Sequence, residues 1–264
     1  MARDLNWIIR AAPRPCARLR LFCFPYAGVG PSAYRGWAEA ADPEIEVCTV
    51  QLPGRENRLR ERPFSSLDEL IPPLVKALSG LLVRPYTLYG HSLGGLVAFQ
   101  AARALRDAGF PEPLHLFVGA SPAPQLPRLH SLTHGLTEDG FLREIQRRYG
   151  SMPSQIIDDP ELRALVVPAL RADVMMMETY RYQPEPPFAF GITAFAGNRD
   201  TVVKRPFMDE WRHQTTGAFR CEVLDSDHFF TQSARPRLLE AIAAGWKRLQ
   251  DERLLASAIP GTCQ

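Results

Sequence analysis

The sequence predicts an α/β protein with a mostly parallel, doubly wound sheet and a helical insertion, formed by one domain of 264 residues. Three observations support this prediction. Short apolar runs alternate with helical patterns, each run is apolar almost throughout, and one connection is far longer than the others. Strands that are covered on both faces have continuous apolar runs, and right-handed crossovers place helices on both faces of the sheet.

Six strands are predicted from runs that are rich in β-branched and aromatic residues and bounded by Gly, Pro or Asp. They begin at Leu19, Ile45, Thr87, Leu114, Ile192 and Phe219. Helical patterns lie between them. S-L-D-E at Ser66 is a capping box that starts one helix, and a second helix follows Ser92 and stops at Gly109. A third helix, from Pro236 to about Leu249, follows the last strand.

The long connection holds about 70 residues between the fourth and fifth predicted strands, against roughly 2–6 for an ordinary connection. Two of its segments have helical periodicity: TEDGFLREIQRRYG, with Thr137 as the N-cap, and DPELRALVVPALRADVMMMETYRY. Strands of the same sheet resume afterwards. We therefore expect residues 122–187 to form a helical lid over a core of residues 1–121 and 188–264.

Composition excludes several classes of protein. Hydrophobic residues make up 45% and charged residues 23%, as in soluble globular proteins, and a net charge of +2 is too small to imply nucleic acid binding. No apolar run approaches the roughly 18 residues that cross a membrane, and the apolar stretch near the amino terminus is too short for a secretory signal. The five cysteines are widely spaced and suggest neither a disulfide framework nor a zinc site. We expect a cytoplasmic protein without metal or cofactor.

A glycine-rich turn follows the first predicted strand. Gly28, Gly30 and Ala33 satisfy G-x-G-x-x-G/A between a strand and a helix, which raises the possibility of a dinucleotide site. Such a site needs an acidic residue at the end of the second strand, where this chain has Gln51, so the nicotinamide interpretation is disfavoured. Two interpretations stay open: the glycines only permit a tight turn, or their backbone N–H groups bind an anion.

A second glycine-rich turn surrounds Ser92 in TLYGHSLGGLVAF, which contains G-x-S-x-G between a strand and a helix. Gly90 and Gly94 remove side chains that would collide with the strand and the helix, and the helix dipole favours a developing oxyanion. Ser92 is either a small residue in a tight turn or a nucleophile, and the strand–turn–helix context favours the nucleophile.

A serine nucleophile needs a base, and His228 has the right context because it follows the last strand in LDSDHFF and precedes the final helix. The carboxyl ends of parallel strands share one edge, where Ser92 also lies. The other histidines lie in the serine turn, at a strand start, in the lid or in a charged helix: His91, His115, His130, His134 and His213.

The acid that orients His228 is expected at the same edge. Asp200 follows the fifth predicted strand in FAGNRDTVV and is the first choice, with Asp225 as the second. Asp227 is adjacent to His228, and neighbouring side chains in extended backbone point in opposite directions.

Several motifs together resemble the type II thioesterases associated with polyketide synthases and nonribosomal peptide synthetases. They are FPYAG at 24–28, QLPGRENR from Gln51, GHSLGG at 90–95, GNRD at 197–200 and DHFF at 227–230, with a helical lid in the same order. The resemblance runs from about Trp7 to the last helix. It differs where Leu93 replaces a frequent methionine and Asn198 a frequent aspartate; neither difference touches the chemistry.

The resemblance implies an α/β-hydrolase fold and the hydrolysis of acyl groups from the phosphopantetheine thiol of carrier proteins, which relieves blocked assembly lines. Ser92, Asp200 and His228 would form the triad, and the backbone N–H groups of Ala27 and Leu93 would form the oxyanion hole. The expected partners are a carrier protein and its acyl thioester, with no nucleic acid and no membrane. A general serine esterase or peptidase, an acyl-coenzyme A thioesterase and a binding module on the same fold are the alternatives.

Two further segments have open interpretations. Met175, Met176 and Met177, followed by Tyr180 and Tyr182, either pack within the lid or line an acyl channel. The arginine-rich segment RENRLRER at 55–62 is either a solvated loop or a surface that steers an acidic carrier protein.

Overall fold

The structure, a computed structural model, describes residues 7–150 and 158–258. Its described part contains a seven-stranded sheet in the order β1-β3-β2-β4-β5-β6-β7. The strands are β1 (Ile8–Ile9), β2 (Leu19–Phe24), β3 (Ile45–Val50), β4 (Tyr86–His91), β5 (His115–Gly119), β6 (Gly191–Gly197) and β7 (Phe219–Leu224). Strands β2 to β7 are parallel, which confirms the predicted mostly parallel α/β sheet.

Strand β1 is the one strand of this sheet that the sequence analysis missed. It pairs antiparallel to β3, with Ile8 opposite Val50. Two residues are too few to show the alternation by which a strand is predicted. The chain places β3 on one side of β2 and β4 on the other. Such a change of direction leaves a crevice at the carboxyl ends of the two central strands, where ligands bind in open α/β sheets.

The helices are α1 (Trp37–Ala40), α2 (Leu67–Ser79), α3 (Leu93–Asp107), α4 (Glu138–Tyr149), α5 (Pro160–Thr179), α6 (Arg205–Asp209), α7 (Phe230–Ser233) and α8 (Arg235–Ala258). Two predicted N-caps are present. Ser66 Oγ accepts a hydrogen bond from Glu69 N at 3.2 Å, and Thr137 Oγ1 accepts one from Gly140 N at 3.3 Å. These bonds satisfy N–H groups that have no partner inside the first turn of a helix.

The sheet divides the core into two apolar layers. In β2, Phe22 and Phe24 pack on the side of α2 and α3, whereas Leu21 and Cys23 pack on the side of α1 and α8. Side chains of a strand alternate between its faces, so a strand that is apolar at every position has both faces covered. This is why the strands could be recognised as continuous apolar runs.

Helices α4 and α5 lie between β5 and β6, in the segment that the sequence analysis assigns to a lid. They form an apolar cluster of their own: Phe141, Leu142, Ile145, Val167, Leu170 and Val174. The division into a core and a lid at 122 and 187 stays a prediction. Within the described ranges, none of the helices combines the length and the apolar composition that crossing a bilayer requires.

Candidate active site

Ser92 lies in the sharp turn between β4 and α3, with φ 53° and ψ −118°. A residue with a side chain rarely adopts positive φ, and such a conformation costs about 1–3 kcal/mol. A Cβ at Gly90 would lie 2.1 Å from the carbonyl oxygen of Gly94, and one at Gly94 would lie 2.0 Å from that of Phe24. Both glycines are therefore required, and the turn presents Ser92 Oγ at the carboxyl edge of the sheet.

His228 lies on the loop between β7 and α7. Its Nε2 is 3.1 Å from Ser92 Oγ, and its Nδ1 is 2.8 Å from Asp200 Oδ2. An ionised carboxylate only accepts hydrogen bonds, so His228 Nδ1 carries the proton and its N–H donates a hydrogen bond to Asp200. The lone pair of Nε2 then faces the Ser92 hydroxyl. The structure thus brings together three residues that are distant in the sequence.

Asp200 follows β6 and is 5% exposed. Its Oδ1 accepts hydrogen bonds from the backbone N–H groups of Val202 at 2.8 Å and Val203 at 2.9 Å. Burial acts to raise the pKa of Asp200, but the hydrogen bond and charge of His228 and the two N–H groups outweigh it and hold the pKa below its ordinary value. The carboxylate therefore stays ionised beside the imidazole.

The second candidate acid, Asp225, does not contact His228. Its carboxylate forms an exposed ion pair with Arg199. Asp227 accepts a hydrogen bond from Phe229 N at 3.0 Å and likewise points away from the imidazole. Of the candidates that the sequence left open, the structure brings only Asp200 to the histidine.

His91 has a contact that the sequence analysis missed. Its Nε2 is 2.7 Å from the carbonyl oxygen of His228, and its Nδ1 is 3.2 Å from Tyr89 Oη. Burial, together with the charge of His228, lowers the pKa of His91 to about 3, so the ring is neutral. Nε2–H therefore donates to His228, and Tyr89 donates to Nδ1. The alternation in β4, which puts Tyr89 and His91 on one face, was the available signal.

The predicted oxyanion donors lie on neighbouring loops. Phe24 of β2 pairs with Gly90 of β4, and Ala27 and Leu93 each follow three residues later. No hydrogen bond joins either of these two N–H groups to another residue in the part of the chain that the structure describes. Leu93 is also the first residue of α3, where an N–H group has no partner within the helix.

A cavity of about 170 Å³ opens beside Ser92 and His228. Among the residues that line it are Leu96, Tyr149, Met177 and Tyr180. The side chain of Tyr149 packs against the His228 ring with centroids 5.0 Å apart. The site therefore combines a serine hydroxyl that is hydrogen-bonded to an imidazole with a cavity whose lining is mostly apolar.

A model of the thioesterase domain matches residues 19–245. The chain belongs to the thioesterase domain family. It is similar to the gramicidin S biosynthesis protein GrsT of Aneurinibacillus migulanus, at 37% identity over 89% of this chain and 91% of that protein. It is also similar to the thioesterase PikA5 of Streptomyces venezuelae, at 36% identity over 85% of this chain and 79% of that protein.

Solved structures agree with this assignment. RedJ, a thioesterase from the prodiginine biosynthetic pathway of Streptomyces coelicolor, has 39% identity and a TM-score of 0.80 over 89% of this chain and 90% of RedJ. YbtT, the type II thioesterase of the yersiniabactin pathway, has 27% identity and a TM-score of 0.82 over 92% of this chain and 98% of YbtT. The resemblance to type II thioesterases and the α/β-hydrolase fold are confirmed, and this thioesterase is a hydrolase that acts on thioesters.

The glycine-rich turn after β2 of the thioesterase binds carboxylates of the protein itself. Glu56 Oε1 accepts hydrogen bonds from Gly30 N at 3.0 Å and from Ser32 N at 3.2 Å. Asp173 Oδ2 accepts one from Gly28 N at 2.7 Å. The turn therefore does donate backbone N–H groups to anions, as one of the two open interpretations held, and both anions are side chains of the chain.

The three methionines of the thioesterase have three different environments. Met177 lines the cavity, Met176 is buried in the core, and Met175 is 37% exposed. Tyr180 also lines the cavity, and its Oη accepts a hydrogen bond from Gln100 Nε2 at 2.8 Å. Tyr182 packs against the Arg103 guanidinium instead. The interpretation of these residues as cavity lining therefore holds for Met177 and Tyr180, whereas Met176 and Tyr182 pack with the core and not within the lid.

The four arginines of the arginine-rich segment at 55–62 differ in their exposure to solvent. Arg55 and Arg58 are buried, whereas Arg60 and Arg62 are exposed. Arg58 donates to Gln51 O at 3.0 Å and lies 4.3 Å from the centre of the Trp7 ring. The interpretation of the whole segment as a solvated loop is wrong, because half of its arginines hold neighbouring segments together.

Proposed function

We propose that this thioesterase hydrolyses acyl groups from the phosphopantetheine arm of carrier proteins through an acyl-Ser92 intermediate, and so clears stalled polyketide or nonribosomal peptide assembly lines. The observation that carries the proposal is the pair of hydrogen bonds from Ser92 through His228 to Asp200, at 3.1 and 2.8 Å, beside an apolar cavity. Relatives named for gramicidin S, prodiginine and yersiniabactin biosynthesis support this class of pathway.

In the first half-reaction, Ser92 Oγ attacks the thioester carbonyl carbon while His228 Nε2 takes its proton. Asp200 keeps Nδ1 protonated and stabilises the imidazolium that forms. The carbonyl oxygen becomes an oxyanion between the N–H groups of Ala27 and Leu93, and each such donor contributes about 3–4 kcal/mol in comparable enzymes. The C–S bond then breaks, and the thiolate receives the proton from His228.

In the second half-reaction, a water molecule attacks the acyl-Ser92 ester. His228 takes a proton from this water, the oxyanion forms again at Ala27 and Leu93, and Ser92 Oγ leaves with the proton of His228. A thiol, with a pKa of about 8.5, leaves more easily than an alkoxide. Hydrolysis of acyl-Ser92 therefore depends more on His228 than the acylation step does.

The carrier protein would approach a face that includes the exposed end of the arginine-rich segment. Arg60 and Arg62 form no ion pair with any other described residue. Unpaired cations attract an acidic partner and raise the association rate, an effect that added salt weakens. We therefore propose that these two arginines, rather than the buried Arg55 and Arg58, steer the carrier protein.

The test compares kcat/KM for one acyl group on a carrier protein, on coenzyme A and on a simple oxygen ester. We expect the carrier protein substrate to be preferred, and we expect Arg60→Ser with Arg62→Ser to lower its kcat/KM, most strongly at low salt, without changing kcat/KM for the ester. Equal kcat/KM for all three substrates would contradict the carrier-protein assignment and favour a general esterase. Because the exchanged side chains are exposed, the variant leaves the ester activity as an internal control.

A further inference from the structure

Helix α5 holds a buried aspartate whose carboxylate contacts the loop of a proposed oxyanion donor. Asp173 is 0% exposed, and its Oδ2 accepts a hydrogen bond from Gly28 N at 2.7 Å. Arg55 donates to both carboxylate oxygens, including a bond from Nη2 to Oδ1 at 2.9 Å. A buried carboxylate is costly unless it is paired and hydrogen-bonded, and here both conditions are met. Asp173 and Arg55 are 118 positions apart in the sequence.

The contact with Gly28 fixes one side of Ala27. Gly28 has φ 78° in the turn from Tyr26 to Val29, a value that the third position of a type II turn requires. Val29 N donates to Tyr26 O at 3.3 Å, which directs the carbonyl of the Tyr26–Ala27 peptide into the turn. In a trans peptide the N–H group points opposite to the carbonyl, so the N–H of Ala27 is directed out of the turn. The peptides on both sides of Ala27 are thus held by hydrogen bonds.

Helix α5 also packs directly against this turn. A Cβ at Gly28 would lie 3.1 Å from Leu170 Cδ1, so the helix is in close contact with the turn at this position. The same helix carries Met177, which lines the cavity beside Ser92. One helix therefore contacts both the proposed space for the acyl group and the loop of the proposed oxyanion donor.

We propose that Asp173, held in place by Arg55, is a positioning residue that sets the Ala27 N–H in the oxyanion hole. The proposal rests on the proposed function in one respect, the role of Ala27. Asp173 does not touch the reacting atoms. Its effect is to place a donor that binds the oxyanion and not the ground-state carbonyl. Loss of the contact should therefore lower kcat and leave KM unchanged.

Two variants separate positioning from simple ion pairing. Asp173→Asn keeps an acceptor oxygen of the same reach for Gly28 N–H but loses the charge, whereas Asp173→Glu keeps the charge but moves the carboxylate by one methylene. We expect kcat for a p-nitrophenyl acyl ester to fall about 30-fold in Asp173→Glu and less than about 5-fold in Asp173→Asn, because displacing one oxyanion donor costs up to 10²–10³. A purely structural ion pair predicts the opposite order.

A trifluoromethyl ketone inhibitor gives the second readout, because its adduct with the serine places an oxyanion in the same hole. Its affinity should fall by the same factor as kcat in Asp173→Glu. The matched controls are Glu46→Asp and Glu46→Gln in the buried Arg20–Glu46 pair, whose Nε–Oε2 distance is 2.8 Å and which lies near the amino ends of β2 and β3. These controls should change stability and leave kcat and inhibitor affinity within about 2-fold.

Asp173→Glu with kcat and inhibitor affinity within 2-fold of the unaltered enzyme would overturn the proposal, as would a change confined to KM. If Asp173→Glu does not fold, Arg55→Lys decides, because lysine keeps the charge but loses the planar two-point contact. A folded Arg55→Lys enzyme with kcat within about 2-fold of the unaltered enzyme overturns the proposal, and one with kcat lowered more than about 2-fold at constant KM supports it. The ester assay needs no carrier protein, so failure of the carrier-protein assignment would appear separately.

Discussion

Asp200 and Asp173 are both buried aspartates at the carboxyl edge of the sheet, but their partners differ. Asp200 accepts hydrogen bonds from two backbone N–H groups and from His228. Asp173 accepts hydrogen bonds from one backbone N–H group and from Arg55. A histidine gains and loses a proton near neutral pH, whereas an arginine keeps its proton. The first aspartate can therefore support proton transfer, and the second can only hold structure in place. The partner, more than the burial, sets the role of each carboxylate.

The largest expected effect comes from removing the proposed nucleophile, Ser92, which is linked to Asp200 through His228. Ser92→Ala should lower kcat by about 10⁴-fold or more in an ester or thioester assay, because no acyl-enzyme can form. Ser121→Ala is the matched control, since Ser121 lines the same cavity without a hydrogen bond to His228. Activity retained in Ser92→Ala would remove the serine from the mechanism.

Removing the base should produce a similar loss together with a visible intermediate. His228→Ala should lower kcat by about 10³–10⁴-fold, and acyl-Ser92 should accumulate more on thioesters than on oxygen esters, because deacylation needs the base more than thiolate release does. Intact-mass spectrometry of the variant after mixing with an acyl-pantetheine substrate measures the fraction of acylated protein. Spectra without any acylated protein would count against the covalent route.

The comparison of the two candidate acids gives a smaller but cleaner test. Asp200→Asn should lower kcat by about 10²–10⁴-fold, since an amide no longer fixes the tautomer of His228. Asp225→Asn should leave kcat within about 2-fold, because Asp225 only pairs with exposed Arg199. Equal losses in two variants whose circular dichroism spectra are unchanged would contradict the assignment of Asp200, and not Asp225, as the acid that orients His228.

The smallest expected effect concerns stability in acid. The pKa of His91 is lowered to about 3, below the value of about 6.5 in an unfolded chain, so the unfolded state binds a proton first as the pH falls. The contribution of neutral His91 to the free energy of unfolding is therefore fully present above pH 6.5, and it is lost as the pH falls from 6.5 to 3. At pH 5 the loss amounts to about 2 kcal/mol.

His91→Gln keeps a donor for the carbonyl of His228 but does not titrate. Urea unfolding at pH 7.5 and pH 5.0 should show a pH-dependent loss about 2 kcal/mol smaller in this variant than in the unaltered enzyme. His213→Gln, at an exposed position, is the matched control. The same loss in His91→Gln and in the unaltered enzyme would assign the acid sensitivity to other groups.

The sequence predicted the parts of the site that follow strands of regular pattern. Ser92, Asp200 and His228 each follow an apolar run, and the carboxyl ends of such runs meet at one edge. Asp173 and Arg55 were out of reach because their contact is made between a helix of the insertion and a loop. An aspartate in a helix and an arginine in an arginine-rich segment carry no local sign of burial. The burial of both residues is a property of the tertiary packing.

The glycine-rich turn after β2 has a consequence for ligand binding. Glu56 is tethered to the protein, so it competes for the N–H groups of Gly30 and Ser32 at an effective concentration on the order of millimolar or more. A nucleotide or inorganic phosphate would have to displace this internal carboxylate before it could bind these N–H groups. A glycine-rich motif of the kind that binds phosphate in other proteins is thus occupied by Glu56 in this fold, and it joins the loop after β2 to the loop after β3.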